Sequence, residues 1–305
     1  MKIPPNKKFH QQKMGGKNPL LTPKCVIPFC YLFSAIFLVL AITLFVSISK
    51  VDEITQRYDK DCTTKCNITI EPTKDMLAPV YFYYQLTNYH QNHRKYIKSR
   101  SDKQLRGETL SYADSSVCDP IRSYDDKEST KEVYEPCGLV AWSKFNDTFS
   151  IMEESTQKSV GFTEKGIAWE SDLDEKFKNP DPLPDPDSPT TIQSNYQDEH
   201  FIVWMRVAPL PTFRKLYAIL KTGKLEKNKK YTIQIENNYP VHQFEGTKSI
   251  SFSTSTWIGG KNSAIGWCYL VIGLLLLTLS ISFTLKHLLW GRELGNSKYL
   301  SWNKN

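Results

Sequence analysis

The sequence predicts a membrane protein with two transmembrane helices flanking a β-rich ectodomain that carries a few short helices. The first observation is a pair of uncharged apolar runs, Val26–Ile48 and Ala264–Leu285. At about 1.5 Å per helical residue either run crosses a bilayer core of ~30 Å, where unpaired backbone groups leave only a helix or a closed barrel. The second is the stretch between them, residues 49–263. It is polar enough to make the mean hydropathy of the chain negative although 40% of all residues are apolar. The third is the distribution of charge. Of 39 Lys and Arg, six lie in residues 1–24 with no acid, and four follow Leu285 beside Glu293 alone. The 29 between them meet 31 Asp and Glu, a net of −2, so the two short flanks, at +9, account for the whole chain's +7. That positive-inside pattern predicts cytoplasmic termini and a luminal or extracellular middle, and it argues against nucleic-acid binding.

The predicted layout is therefore a cytoplasmic arm (1–25), a first span (26–48), an ectodomain (49–263), a second span (264–285) and a cytoplasmic tail (286–305). The arm holds Pro4, Pro5, Gly15, Gly16, Pro19 and Pro23 and is expected to be extended. The apolar run behind it has 23 residues, against roughly 7–15 for the apolar core of a cleaved signal peptide. It reads as a retained signal-anchor. The host membrane is that of the endoplasmic reticulum, the Golgi or endosome, or the cell surface.

Cys25, Cys30 and Cys268 sit at or in the spans, while Cys62, Cys66, Cys118 and Cys137 lie in the ectodomain. Four is an even number in an oxidising compartment and implies two disulfides, for which three pairings exist. The sequence-local solution, Cys62–Cys66 with Cys118–Cys137, is preferred. A zinc site is the rival, but one C-x₃-C without a nearby His is a weak metal signal. Two N-x-[ST] sequons, at Asn67 and Asn146, fall inside the predicted lumen.

Within the ectodomain, Val80–Leu86 is aromatic and β-prone, and Phe201–Val207, apolar on both faces, reads as a buried central strand. Tyr231–Glu236 and Ser249–Thr254 alternate with the period of strands half-buried in a sheet or sandwich. Phe213, Leu216, Tyr217 and Leu220 follow i, i+3, i+4, i+7 behind Thr212 and predict a helix closed by Gly223. Residues 170–199, acidic and rich in proline, predict a surface loop.

Little points to catalysis, a cofactor or a metal. His90 and His93 would share one face of a helix, yet no third ligand is near. Gly259-Gly-Lys-Asn262 lacks the spacing of a phosphate-binding loop and reads as a joint into the second span, and no G-x-S-x-G or H-E-x-x-H occurs. The strongest surface signal is cationic. From His90 to Arg106 the chain carries Arg94, Lys95, Lys98, Arg100, Lys103 and Arg106 against Asp102 alone. Such a cluster, with Arg94, Lys95 and Arg100 as candidate contacts, suits an acidic partner face or anionic lipid head groups; the bland alternative is ion pairing with loop 170–199. In the second span Gly266, Gly273 and Ser280 recur every seven residues. Small residues let helices approach closely, so the stripe is a candidate contact with a partner helix or with the first span.

Several segments together resemble a known family. They are Gln91-Asn-His-Arg-Lys-Tyr-Ile-Lys-Ser-Arg100, Pro136-Cys-Gly-Leu-Val-Ala141 with Phe145-Asn-Asp-Thr148, Gly166-Ile-Ala-Trp169, Ile202-Val-Trp-Met-Arg206, Leu210-Pro-Thr-Phe-Arg-Lys-Leu-Tyr217, Asn238-Tyr-Pro-Val241 and Trp257-Ile-Gly-Gly-Lys-Asn262. Nearer the start, Phe9-His-Gln-Gln12 and Leu21-Thr-Pro23 join them. In this order they resemble the cell-division-control-protein-50 (ligand-effect-modulator) family, accessory β-subunits of type-IV P-type ATPases, the phospholipid flippases. The resemblance implies an antiparallel β-sandwich ectodomain clasping the luminal loops of the catalytic subunit. It implies a glycoprotein needed for that subunit to fold, leave the endoplasmic reticulum and turn over, with membrane lipids as the other partner. It implies no catalysis here, and the chain has no Asp-Lys-Thr-Gly phosphorylation motif. Asn146 falls on a family glycosylation position and Asn67 close to one. The family often has two nested disulfides before the Val80 strand, where this chain has only Cys62 and Cys66. Outside the family, a stand-alone receptor or adhesion ectodomain fits the same plan, and a membrane-bound ectoenzyme would need a polar pocket that the sequence does not announce.

Overall fold

In a computed structural model, which describes residues 7–9, 13–16, 21–124, 132–291 and 296, the chain forms two units. One comprises Met1–Ile48 with Asn262–Asn305, the other Ser49–Lys261. The predicted arm and tail lie in part outside the described residues, and so do His10-Gln-Gln12 of the family motif.

The first unit is a helix pair. Helix α1 spans Pro23–Ser49 and its partner Ala264–Leu289, and both are long and apolar enough to cross a membrane. The rings of Phe45 and Trp267 meet edge to face at 5.4 Å, and the Ser34 hydroxyl donates to the Gly273 carbonyl at 2.9 Å.

The second unit is a sandwich of antiparallel sheets. Its strands are β1 (Glu53–Arg57), β2 (Lys65–Ile70), β3 (Met76–Leu77), β4 (Val80–Leu86), β5 (Thr148–Glu153), β6 (Phe162–Thr163), β7 (Phe213–Leu220), β8 (Lys224–Leu225), β9 (Tyr231–Glu236) and β10 (Lys248–Thr254). One sheet runs β1-β10-β4-β7-β6, a second β2-β9-β5, and β3 pairs with β8. The alternation in β9 does what it predicts: Tyr231, Ile233 and Ile235 are buried, the residues between them are not, and β9 sits centrally with Ile233 opposite Ile68 and Ile151. In β4, Val80, Phe82, Tyr84 and Leu86 face the same core. Aromatic rings close the gap between the two sheets. Phe149 of β5 meets Phe82 at 5.3 Å and Tyr217 at 4.9 Å, both edge to face, an arrangement that ring quadrupoles favour.

Short helices form a second core beside the sandwich. They are α2 (Arg94–Lys98), α3 (Asp102–Leu105), α4 (Leu139–Trp142), α5 (Glu170–Glu175) and α6 (Glu199–Met205); the C-terminal long helix is α7. Leu105, Val140, Phe177, Phe201, Ile202 and Met205 pack together there. Trp204 joins the two cores, its side chain in the sandwich and its Nε1 donating to the Val140 carbonyl at 2.8 Å.

Two neighbouring expectations are exchanged. Phe201–Val207 is not a strand: Glu199–Met205 is helical, begun by Asp198, whose carboxylate accepts from the His200 N–H. A short apolar run fits a buried strand and a buried helix equally, and the acidic cap decides between them. Phe213–Leu220 is not a helix but β7, flanked by β4 and β6. The helical spacing arose because β7 is covered on both faces toward its end and because the β4–β7 register shifts between Phe82 and Tyr83. Lys215, on the wet side of the expected helix, is only 6% exposed. Its ammonium donates to the carbonyls of Val203 (2.9 Å), Trp204 (3.2 Å) and Arg206, closing the C-terminus of α6.

The His90–His93 helical face is also absent. His90 lies in the preceding turn, His93 stands at the N-cap position of α2 without a side-chain capping bond, and both are exposed. Residues 170–199 open with α5 and bury Asp172, Phe177 and Tyr196; the remainder up to α6 is irregular apart from an isolated bridge, Glu135 to Thr191.

Candidate functional site

The cationic segment forms a ridge along α2 and α3. Arg94, Lys95, Lys98, Lys103 and Arg106 are exposed and Arg100 is half-buried. What holds the ridge is the loop closed by the Cys118–Cys137 disulfide. Ser99, buried between α2 and α3, donates its hydroxyl to the Cys118 carbonyl at 2.8 Å and accepts from the Leu139 N–H at 2.9 Å. Gln104 of α3 accepts from the Cys137 N–H at 2.9 Å and donates to the Tyr134 carbonyl at 3.0 Å. Gly138, at φ +108°, lies so close that an added Cβ would be 2.2 Å from the Ser99 carbonyl oxygen, so only glycine fits. The second disulfide joins Cys62 and Cys66 at the start of β2.

Among the described residues no ion pair links the ridge to 170–199; its one ion pair is Arg100 with Asp102 at 3.2 Å. The acidic loop contributes instead to an adjoining cleft of about 280 Å³, into which Arg100, Arg106, Lys176, Arg206, Asp102 and Asp172 project. Asp172, 1% exposed, takes Arg206 Nε at 2.5 Å and Lys176 at 2.8 Å. Burial alone would raise its carboxyl; the two cations prevail and hold it below the ordinary carboxylate range. The Arg206 guanidinium lies 3.9 Å over the indole of Trp169, which is 64% exposed. Burial, with Arg206 nearby, brings the Lys215 amine down to about 7. The ridge thus presents mostly uncompensated positive charge, and the cleft beside it holds four cations against two carboxylates next to an exposed aromatic ring. That chemistry recognises anions and acidic surfaces. Among the described residues, no group of three or more His, Cys, Asp or Glu is placed to hold a metal ion.

Sequence reasoning located Arg94, Lys95 and Arg100 because they are adjacent in the chain. It missed the Arg206–Asp172 pair, for which the one signal was a lone arginine ending an apolar run. It also missed the link from Asp147 to Lys248. Asp147 sits inside the Asn146 sequon, buried, and accepts from the Tyr58 hydroxyl and from the N–H groups of Asn238 and Tyr239, each at 2.6 Å. Asn146 itself is exposed, and so is Asn67 on β2.

Gly266, Gly273 and Ser280 are the buried residues of α7. The two glycines face α1: an added Cβ would meet the Phe45 ring at 3.1 Å from Gly266 and Leu38 at 3.0 Å from Gly273. At its two glycines the stripe is thus occupied by the first long helix.

The fold defines a class: an integral membrane protein with two long apolar helices and a disulfide-braced, β-rich ectodomain. Residues 44–293 match the family model described as the LEM3 (ligand-effect modulator 3) family / CDC50 family, and the chain belongs to that family. It is 38% identical to ALA-interacting subunit 3 of Arabidopsis thaliana, across 100% of this chain and 92% of that protein. It is 36% identical to cell cycle control protein 50A of Bos taurus, across 92% of this chain and 86% of the relative. It is 30% identical to the phospholipid-transporting ATPase accessory subunit CRF1 of Saccharomyces cerevisiae, across 99% and 89%.

Proposed function

We propose that this chain is a non-catalytic accessory subunit of a type-IV phospholipid-transporting P-type ATPase. The observation that carries the reading is near-full-length similarity to a protein named as a phospholipid-transporting ATPase accessory subunit, together with one named as an ALA-interacting subunit. In it, the ATPase carries out phosphorylation and lipid translocation, and this subunit stabilises the folded catalytic chain by binding it, supporting its exit from the endoplasmic reticulum, its activity and thereby bilayer asymmetry. Both termini are cytoplasmic, as the basic flanks suggest, and the sandwich is luminal or extracellular with glycans at Asn146 and Asn67. Arg94, Lys95 and Arg100 face acidic luminal loops of the ATPase or anionic head groups at the membrane surface. The stripe of Gly266, Gly273 and Ser280 contributes to the partner contact indirectly, by setting the spacing of the helix pair.

Trafficking tests the reading. Expressed without a cognate ATPase, the glycoprotein is expected to stay in the endoplasmic reticulum with immature glycans, and co-expression should release it. Efficient exit of the lone chain would favour a free-standing receptor or adhesion protein.

A further inference from the structure

The Asn146 sequon opens onto a cleft of about 470 Å³ whose walls differ in kind. One wall is aromatic. Trp142, at the end of α4, is 58% exposed, and the ring of Tyr217 lies 4.4 Å from that of His200. The other wall is polar and already fixed. Lys144 Nζ donates to Gln193 Oε1 at 2.9 Å and to Asp198 Oδ2 at 2.6 Å. Burial would raise the Asp198 carboxyl, but the Lys144 ammonium holds it below its ordinary value, so this wall is a standing set of charged acceptors and donors. An exposed indole beside preorganised polar groups suits a saccharide, which presents a C–H face to the ring and hydroxyl or acetamido groups to the side chains.

The backbone that carries Asn146 is held on both sides. Phe145 stacks on Tyr84 with centroids 3.9 Å apart, Asp147 is locked by Lys248 and Tyr58, and the Asn146 carbonyl accepts from Asn238 Nδ2 at 3.2 Å. A sugar on Asn146 is therefore tethered at the mouth of the cleft, at an effective concentration on the order of millimolar for a short link, so weak contacts suffice to seat it. Asn67 provides the contrast. It lines a recess of the outer sheet face with Thr148, Ser150 and Gln234, where the one ring, Phe149, is buried.

We propose that this cleft seats the innermost N-acetylglucosamine units of a glycan on Asn146, making that glycan a packed part of the ectodomain that ties α4 to the segment around Gln193 and Asp198. The inference rests on the luminal, glycosylated reading above and adds to it a binding site within the same molecule.

The test uses the full chain purified in mild detergent from a eukaryotic host. Peptide-N-glycosidase converts glycosylated Asn to Asp, and mass spectrometry follows each site in time. In native protein Asn146 should be released more slowly than Asn67, whereas after denaturation the two rates should match. Trp142→Ala should speed native release at Asn146 roughly two- to tenfold, the equivalent of one aromatic contact, with Asn67 unchanged as the control for folding. Trp142→Phe should behave as wild type, and Gln193→Ala should act in the same direction as Trp142→Ala. Equal native rates at the two sites, or a Trp142→Ala rate like wild type, would overturn the seated glycan while leaving the luminal reading intact. No conversion at Asn146 even after denaturation, with Asn67 converted, would overturn the seated glycan and leave the luminal reading intact, whereas no conversion at either site would remove both.

Discussion

The ammonium of Lys248 lies 2.7 Å from the Asp147 carboxylate, and the two side chains are 1% and 0% exposed. They are 101 residues apart, so the pair welds β10 to the strand-entry segment that carries Asn146. Burial pulls the lysine amine below its ordinary value although Asp147 opposes it. A charge this deep is tolerated because every side of it is bonded: Asn237 Oδ1 and the Tyr239 carbonyl take the remaining lysine donors. Lys248→Met leaves the buried carboxylate its hydrogen bonds from Tyr58, Asn238 and Tyr239 but no counter-charge, and is expected to cost about 3–5 kcal/mol of unfolding free energy. Lys248→Met with Asp147→Asn, which keeps the sequon, should cost clearly less than the two single changes added together. Denaturant unfolding of the four proteins checks this, and simple additivity would show that the pair is not coupled.

Cys118→Ser or Cys137→Ser should each destabilise the ectodomain by about 2–5 kcal/mol and trap the protein in the endoplasmic reticulum. Because Ser99 and Gln104 bond directly to the two cysteine backbones, proteolysis of the mutants should open first at the ridge, residues 94–106. Normal glycan maturation in both mutants would count against a stabilising bridge.

Acid should weaken the Arg206–Asp172–Lys176 cluster in a defined direction. The Asp172 pKa is lower in the folded protein than in the unfolded chain, where an aspartate titrates near 3.9. Its contribution is therefore fully present above that value and is lost as pH falls through the depressed folded pKa. Melting temperatures followed from pH 7 down to about 3 should fall less steeply for Asp172→Asn than for wild type. Parallel curves would mean that the carboxylate is not held by its cations.

Gly273→Leu should separate the long helices, because a Cβ alone already reaches 3.0 Å from Leu38 and overpacking typically costs about 1–3 kcal/mol. Tyr31 and Thr284 touch through their oxygens at 3.3 Å; because the tyrosine ring fills most of that gap, Tyr31→Cys with Thr284→Cys should be joined not by a direct disulfide but by a short bifunctional thiol reagent. Adding Gly273→Leu should suppress that cross-link. Undiminished yield would show that the stripe does not set the helix spacing.

Much of this fold is legible in sequence where a pattern has one physical cause. The apolar runs at both ends are long enough to cross a bilayer, Tyr231–Glu236 alternates with the period of a strand, and Val80–Leu86 is rich in β-prone aromatic residues. The exchange of α6 and β7 shows where legibility stops. Phe201–Val207 is apolar on every side, and Phe213–Leu220 fits two periods, so the choice depends on Asp198 and on a lysine that leaves its own strand to close a neighbouring helix. The candidate site divides in the same way. Arg94, Lys95 and Arg100 lie in one short segment and announce themselves, whereas Arg206 meets Asp172 across 34 residues and Lys248 meets Asp147 across 101. No local pattern encodes those pairings.

If the ridge docks an acidic surface, Arg94→Glu with Lys95→Glu should lower recovery of the partner ATPase while leaving the melting temperature unchanged, since both side chains are exposed. The wild-type complex should also weaken with salt, as exposed charges are screened within about 8–10 Å at physiological ionic strength. Full recovery with the double reversal would place the contact elsewhere on the sandwich.

The most direct measurement is affinity purification of the full chain from mild-detergent extracts, with mass spectrometry of what accompanies it. The accessory-subunit reading predicts a large P-type ATPase in near-stoichiometric amount. A chain that remains folded, with both disulfides intact, and never brings down such an ATPase would contradict it.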